Sequence, residues 1–150
     1  MSLLTQKTLS KKISVCGIRV HTGAEDNMNV LPASANTGID FKRIDLKNNN
    51  LIIPNYNNVM DATLCTTVSN QYDVKVSTIE HLMGAFYGLG VDNAIVELDS
   101  QELPIIDGSA KKFVELILKA GFRNYDDPIK LIKILQMNLM IQKMTFVKLC

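Results

Sequence analysis

The chain has 150 residues, a formal net charge of +1, and 47% hydrophobic against 21% charged residues. This length suits one domain with its own core, and the composition excludes a largely disordered chain. The segment after Pro128 holds four lysines and no acid, so the rest of the chain is slightly acidic. That balance argues against a general nucleic-acid binder, which needs a basic surface to neutralise phosphates.

The cysteines and the N-terminus indicate the compartment. Three widely spaced cysteines without a C-x-x-C pair favour neither a disulfide framework nor a thiolate zinc site. The first residues lack the apolar run of a signal peptide, and no stretch is long enough to span a membrane. We therefore expect a cytoplasmic protein without a transmembrane segment and without a nucleic-acid partner.

Short alternating segments predict the strands. Two strands are expected within residues 8–20, separated by a turn at Cys16 and Gly17. A loop rich in Pro, Asn and Gly then predicts a hairpin over residues 29–44. Composition predicts further short strands at residues 63–69, 72–76 and 93–99.

Residues 76–90 predict the helix around which the rest of the chain is organised. Ser77 is a good N-cap residue, and Glu80 stands at the capping-box spacing from it. Gly88 or Gly90 is expected to end the helix. At about 100° per residue, one side of this helix is apolar and suited to a core: Ile79, Leu82, Met83, Phe86 and Tyr87.

The opposite side of this helix predicts chemistry. It carries Glu80 and His81 beside three small residues, Gly84, Ala85 and Gly88, so we expect something to approach closely there. The positive end of the helix dipole favours a neutral imidazole, which keeps a lone pair for a metal. A carboxylate beside a metal-bound water is typical of hydrolysis. A capping glutamate next to a surface histidine is the plain alternative.

A second helix is predicted after residue 108. Ser109 is its expected N-cap, and Gly121 its expected end. Its predicted buried side consists of Phe113, Val114, Leu116, Ile117 and Ala120. Two amphipathic helices with several short strands predict an α+β fold, a two-layer sandwich in which both helices pack on one face of a mixed or antiparallel sheet.

Five short motifs occur in a fixed order: H-T-G (21–23), L-C-T (64–66), S-T-I-E-H (77–81), G-V-D-N (90–93) and D-G-S-A (107–110). In this order and spacing they resemble the zinc-dependent UDP-3-O-acyl-N-acetylglucosamine deacetylases, whereas any one of them alone would be weak. The resemblance covers about residues 6–121 and corresponds to the first domain of that family.

The resemblance implies a function and a set of site residues. The family removes acetate from a UDP-linked acylated amino sugar, the committed step of lipid A biosynthesis, with zinc as cofactor. It implies that Glu80 is the general base, that His81 is a zinc ligand, and that Leu64 and Cys65 line the substrate site. Cys65 as a small buried hydrophobe is the alternative.

His21 is the second histidine of the chain. A loop histidine that bonds a neighbour is as reasonable as a catalytic one, and the resemblance does not make it a zinc ligand. A self-contained zinc site built from His21, His81 and either Cys65 or an aspartate is a further alternative, because catalytic zinc takes about three protein ligands.

Residues 128–150 depart from the family pattern, whereas residues 1–127 form the first domain. We expect this divergent tail to be a truncated or frame-shifted end; a basic membrane-surface segment is the alternative. The resemblance places two more zinc ligands, a His and an Asp, in a second domain that would have to be supplied in cis or in trans. A non-catalytic half that only binds or assembles, or a decayed fragment, is therefore the alternative to an enzyme.

Overall fold

The structure is a computed structural model that describes residues 4–18 and 25–130. The strands and helices of these residues are, in chain order, β1 (Thr5–Leu9), β2 (Ile13–Ile18), β3 (Glu25–Pro32), β4 (Ile39–Arg43), β5 (Leu51–Ile52), β6 (Val59–Asp61), β7 (Thr67–Ser69), β8 (Lys75–Val76), α1 (Glu80–Leu89), β9 (Ala94–Leu98), α2 (Lys111–Ala120) and β10 (Phe122–Pro128). The predicted α+β class is confirmed.

A five-stranded mixed sheet carries the core, in the order β2-β3-β9-β4-β5. Its central strand β9 pairs antiparallel with β3 and parallel with β4. Ala94, Val96 and Leu98 alternate along β9 and are buried, because successive side chains of a strand point to opposite faces. Each buried Val or Leu side chain contributes about 1.5–3 kcal/mol.

The hairpin predicted over residues 29–44 is wrong, because β3 and β4 do not pair with each other. β9 lies between them, so that Val30 and Phe41 both stand opposite Val96. The intervening loop is tied to the start of β9, where the Asn93 side chain accepts the Gly38 N–H at 3.0 Å. The loop sequence indicates a reversal, but it does not reveal that a later strand fills the gap.

β1 pairs antiparallel with β10 and joins Thr5 to Pro128. β10 is absent from the predicted strands because its sequence, F-R-N-Y-D-D-P, has no clear apolar face. The turn predicted at Cys16 and Gly17 is wrong, since both residues lie inside β2. Gly17 serves a close approach instead: a Cβ there would lie 2.7 Å from the Cβ of Pro104.

The two helices pack against each other, and α2 also contacts β2. Phe113 and Ile117 are fully buried on α2, as predicted. The other three side chains of the predicted face are partly buried against the same core: Val114, Leu116 and Ala120. The finer arrangement of two layers stays a prediction. Within the residues that the structure describes, no helix is long and apolar enough to cross a membrane.

The ends of α2 confirm one predicted signal and correct another. Gly121 ends the helix with a left-handed φ of +75°. The N-cap is Ala110 rather than Ser109, and it makes no side-chain capping bond. The Ser109 hydroxyl still accepts the Lys111 N–H at 3.2 Å, so Ser109 supports the first turn from one position further out.

A small antiparallel sheet of β6, β7 and β8 leads the chain to α1. β7 and β8 confirm, in shorter form, the strands predicted at residues 63–69 and 72–76. The side chain of Asn70 closes their connection, because it accepts the Tyr72 and Val74 N–H groups at 3.0 and 3.1 Å. Every residue of β6 is exposed, so this sheet has an open edge.

Candidate active site

Glu80 and His81 are the first two residues of α1. The predicted capping box is wrong, because the N-cap is Ile79 and no side chain caps the helix. Ser77 is held elsewhere: its N–H donates to the Gln101 carbonyl oxygen at 2.9 Å. The extended pairing of Ser77 with Glu102 keeps the chain straight at the position where a capping turn would have to form. The predicted end of the helix at Gly90 is confirmed by its φ of +65°.

Without a capping role, the Glu80 carboxylate bonds to a neighbouring loop. Its Oε2 accepts the backbone N–H of Thr66 at 3.0 Å. Thr66 belongs to the L-C-T motif that immediately precedes β7. The start of the helix and this loop are 14 residues apart in the sequence. They are joined by a hydrogen bond to a carboxylate, which is one of the stronger kinds of hydrogen bond.

Leu64 and Cys65 stand beside that contact in the chain. The Leu64 side chain is 89% exposed, and nothing in the described chain buries it. Cys65 is half-buried, with its Sγ 3.8 Å from the Thr67 hydroxyl. The role of Leu64 and Cys65 as a substrate-site wall stays a prediction.

His81 is half-buried, and its imidazole suits a divalent transition metal. Among residues 4–18 and 25–130, no group of three His, Cys, Asp or Glu side chains could hold a metal ion. The self-contained site predicted from His21, His81 and either Cys65 or an aspartate stays a prediction. His21 lies outside the described residues. The residues present fit one zinc ligand with an acid next to it.

The outer face of α1 differs in detail from the prediction. Tyr87 was predicted on the buried side but is 91% exposed, whereas Ala85 was predicted on the far side but is 1% exposed. α1 packs on α2, and its buried side chains Leu82, Ala85 and Phe86 belong to the common core. A Cβ added at Gly84 or Gly88 would meet no described atom within 4 Å. The face around Gly84 and Gly88 is therefore open within the described chain.

Two residues of this region are missing from the sequence-based site. Thr66 contacts Glu80 through its backbone, and a backbone contact leaves no trace in residue type. Glu102 is 5% exposed although it is an acid, and its Oε1 lies 3.4 Å from the Thr78 hydroxyl. The only sequence signal for Glu102 is that this acid directly precedes the apolar run L-P-I-I.

The comparisons with known proteins agree on one family. Its profile, described as UDP-3-O-acyl N-acetylglycosamine deacetylase, matches residues 6–150. The match thus includes residues 128–150, and a domain boundary near residue 127 stays a prediction.

Curated proteins named UDP-3-O-acyl-N-acetylglucosamine deacetylase are similar over most of this chain. The relative from Cellvibrio japonicus is 48% identical over 132 residues, which are 88% of this chain and 43% of the relative. The relative from Idiomarina loihiensis is 43% identical over 134 residues, or 89% of this chain and 44% of the relative. This chain spans less than half the length of these relatives. It belongs to the UDP-3-O-acyl N-acetylglycosamine deacetylase family.

Proposed function

We propose that this chain is the first half of a zinc-dependent deacetylase that acts on UDP-3-O-acyl-N-acetylglucosamine in lipid A biosynthesis. Glu80 serves as the general base, and His81 as one zinc ligand. A second domain, corresponding to the length that the relatives have beyond this chain, supplies the remaining ligands. The observation that carries the proposal is the Glu80 carboxylate held 3.0 Å from the Thr66 N–H, directly beside His81.

The geometry supports Glu80 as a base. The Thr66 N–H donates to Oε2 and so restrains the carboxylate, while Glu80 itself is exposed to solvent. The other oxygen, Oε1, is then the atom that takes a proton from the attacking water. A positioned carboxylate of this kind contributes about 10²–10⁴-fold to a proton transfer.

His81 supplies the metal ligand on the same helix turn. Zinc, when bound, acidifies water and polarises a carbonyl group. The half-buried imidazole of His81 would hold the metal next to the carboxylate. The net reaction adds water across the acetamide bond, so that acetate leaves and the sugar keeps a free amine.

The surroundings of the pair suit a substrate with an acyl chain. Leu64 offers an apolar surface next to the Glu80 contact, and Cys65 forms the adjoining wall. We place this reaction in the cytoplasm, where the exposed free thiol of Cys16 would stay reduced.

The proposal is tested by co-expressing this chain with the second half of the Cellvibrio japonicus relative and measuring acetate release and bound zinc. Glu80→Gln should lower kcat by about 10²–10⁴-fold without changing the unfolding midpoint. His81→Ala should lower the zinc content. Glu115→Gln, an exposed acid on α2, is the matched control and should change neither.

Four outcomes would contradict parts of this proposal. Full activity in Glu80→Gln would remove Glu80 as the base. Tight one-to-one zinc with turnover by the chain alone would remove the need for a second half. Stable association of the two halves without turnover would favour the non-catalytic binding half, and non-cooperative unfolding of the chain alone would favour a decayed fragment.

A further inference from the structure

The backbone at Thr78 is strained. Its φ is +62°, a left-handed value that non-glycine residues seldom adopt and that is a true outlier for a β-branched one. The other non-glycine residues with a positive φ in the described chain are Asn36, Asn49, Asp73 and Ile106. Asn and Asp tolerate this conformation, so Thr78 and Ile106 are the two strained positions. Thr78 lies two residues before Glu80.

Two backbone hydrogen bonds fix the chain just before this turn. The Ser77 N–H donates to the Gln101 carbonyl at 2.9 Å, and the Ser77 carbonyl accepts the Leu103 N–H at 3.1 Å. Ser77 therefore runs alongside residues 101–103. At Thr78 the backbone leaves this direction, and α1 begins two residues later. The left-handed turn is the junction between the pinned segment and the helix.

The side chain of Thr78 is held by a buried acid. Its hydroxyl lies 3.4 Å from Oε1 of Glu102, and the two residues are 7% and 5% exposed. Ser100 in turn holds the backbone of Glu102, with its hydroxyl 3.0 Å from the Glu102 carbonyl oxygen and 2.8 Å from Oδ2 of Asp26. Asp26 belongs to β3. The turn is thereby connected to the main sheet.

At this end the helix is anchored by Ile79, which is packed in the core. No side chain caps α1, and its N-cap residue Ile79 has helical backbone angles. The direction of the first turn is thus set by the backbone of Thr78, by the burial of Ile79 and by the contact between Glu80 and Thr66. Strain of this kind persists only where the surroundings hold it, and it is concentrated at functional sites.

We propose that Thr78, held in its left-handed turn by Glu102, is a positioning residue that aims Glu80 and His81 into the active site. This inference rests on the proposed function for its catalytic consequence. The structural part of the inference is that the contact between Glu80 and Thr66 depends on Thr78, and this part does not rest on the proposed function. Glycine at position 78 would release the strain and the hydroxyl together, and the helix start would then take several directions.

Ile106 provides a matched control, because it is also β-branched, with a φ of +57°. Thr78→Gly and Ile106→Gly both release backbone strain, and both remove a side chain that is at least partly buried, so the unfolding midpoint should change in both variants. Only Thr78→Gly should move the amide resonance of Thr66 in a nitrogen–proton correlation spectrum, toward its position in Glu80→Gln. Thr78→Ser keeps the hydroxyl and should leave that resonance in place, whereas Thr78→Val should move it.

The activity of the chain completed by a second half gives the second readout. Thr78→Gly and Thr78→Val should lower kcat by about 10–100-fold, since misplacement by about 1 Å costs that order, with KM little changed and activity restored in Thr78→Ser. A Thr66 resonance and a kcat that match the unsubstituted protein in Thr78→Gly would overturn the inference. If Glu80→Gln is fully active, the proposed function fails instead, while the Thr66 resonance still decides the structural part.

Discussion

The two helices have the same length and pack on each other, yet their outer faces are built differently. α1 and α2 each span ten residues and end at a glycine with positive φ. The outer face of α2 is mostly charged, with Lys111, Lys112, Glu115 and Lys119 exposed. The outer face of α1 exposes Glu80, Gly84, Tyr87 and Gly88.

The outer face of α2 is typical of a solvent-exposed helix, whereas the outer face of α1 is typical of a contact surface. Charged side chains on α2 are ordinary for a surface helix. Glycine in the middle of α1 weakens the helix by about 0.5–1 kcal/mol relative to alanine, and an aromatic side chain exposed to 91% gains nothing from burial. We interpret the α1 face as the surface that the substrate or the second domain approaches.

The largest expected effect concerns the faces that the two helices share. Phe86→Ala on α1 and Phe113→Ala on α2 should each lower the free energy of unfolding by about 3–5 kcal/mol, because both side chains are buried. Urea unfolding of the two variants measures this. Tyr87→Ala is the control and should stay within about 0.5 kcal/mol. If Phe86→Ala were as mild as Tyr87→Ala, α1 would not be packed as described.

On the outer faces of the two helices we expect a smaller change in the free energy of unfolding, of opposite sign. Gly84→Ala should raise the free energy of unfolding by about 0.5–1 kcal/mol, since the added Cβ meets no described atom within 4 Å. Lys119→Ala on α2 should be nearly neutral. Denaturant midpoints of both variants test this. If the α1 face is a contact surface, Gly84→Ala should also weaken association with the second half, whereas unchanged association would break the comparison.

The smallest effect lies at the start of α2. The Ser109 hydroxyl donates to Asp107 at 3.0 Å, and this bond is the main reason why the pKa of the Asp107 carboxyl is below its usual range. A lowered pKa means that the bond stabilises the fold above the unfolded value of about 3.9 and that this stabilisation is lost as the pH falls through the folded value.

Ser109→Ala should therefore raise the pKa of Asp107, and its cost in stability should begin to shrink below about pH 4 and disappear once the pH is below the folded pKa. Carboxyl carbon resonances followed over pH measure the pKa directly. Ser109→Thr keeps the hydroxyl and should behave as the unsubstituted chain. A pKa that stays low in Ser109→Ala would assign the effect to backbone N–H groups.

Periodicity and composition predicted both helices, their glycine ends and the strand that became β9. They failed where the decisive partner is distant in sequence. Ser77 has the residue type of a helix cap, but it pairs with Glu102 and does not cap the helix. The contact of Glu80 with Thr66 uses a backbone donor, which residue type does not reveal. The left-handed turn at Thr78 has no signal either, since threonine does not favour it.

The pairing of Thr5 with Pro128 and the position of β9 between β3 and β4 bear on how the chain acquires its fold. Contacts between distant segments slow folding, because loop-closure entropy is lost before they form. On the ribosome, β3 and β4 emerge before the strand that joins them. We expect the nascent chain to pass through an interval with open strand edges, when chaperones would protect it from aggregation.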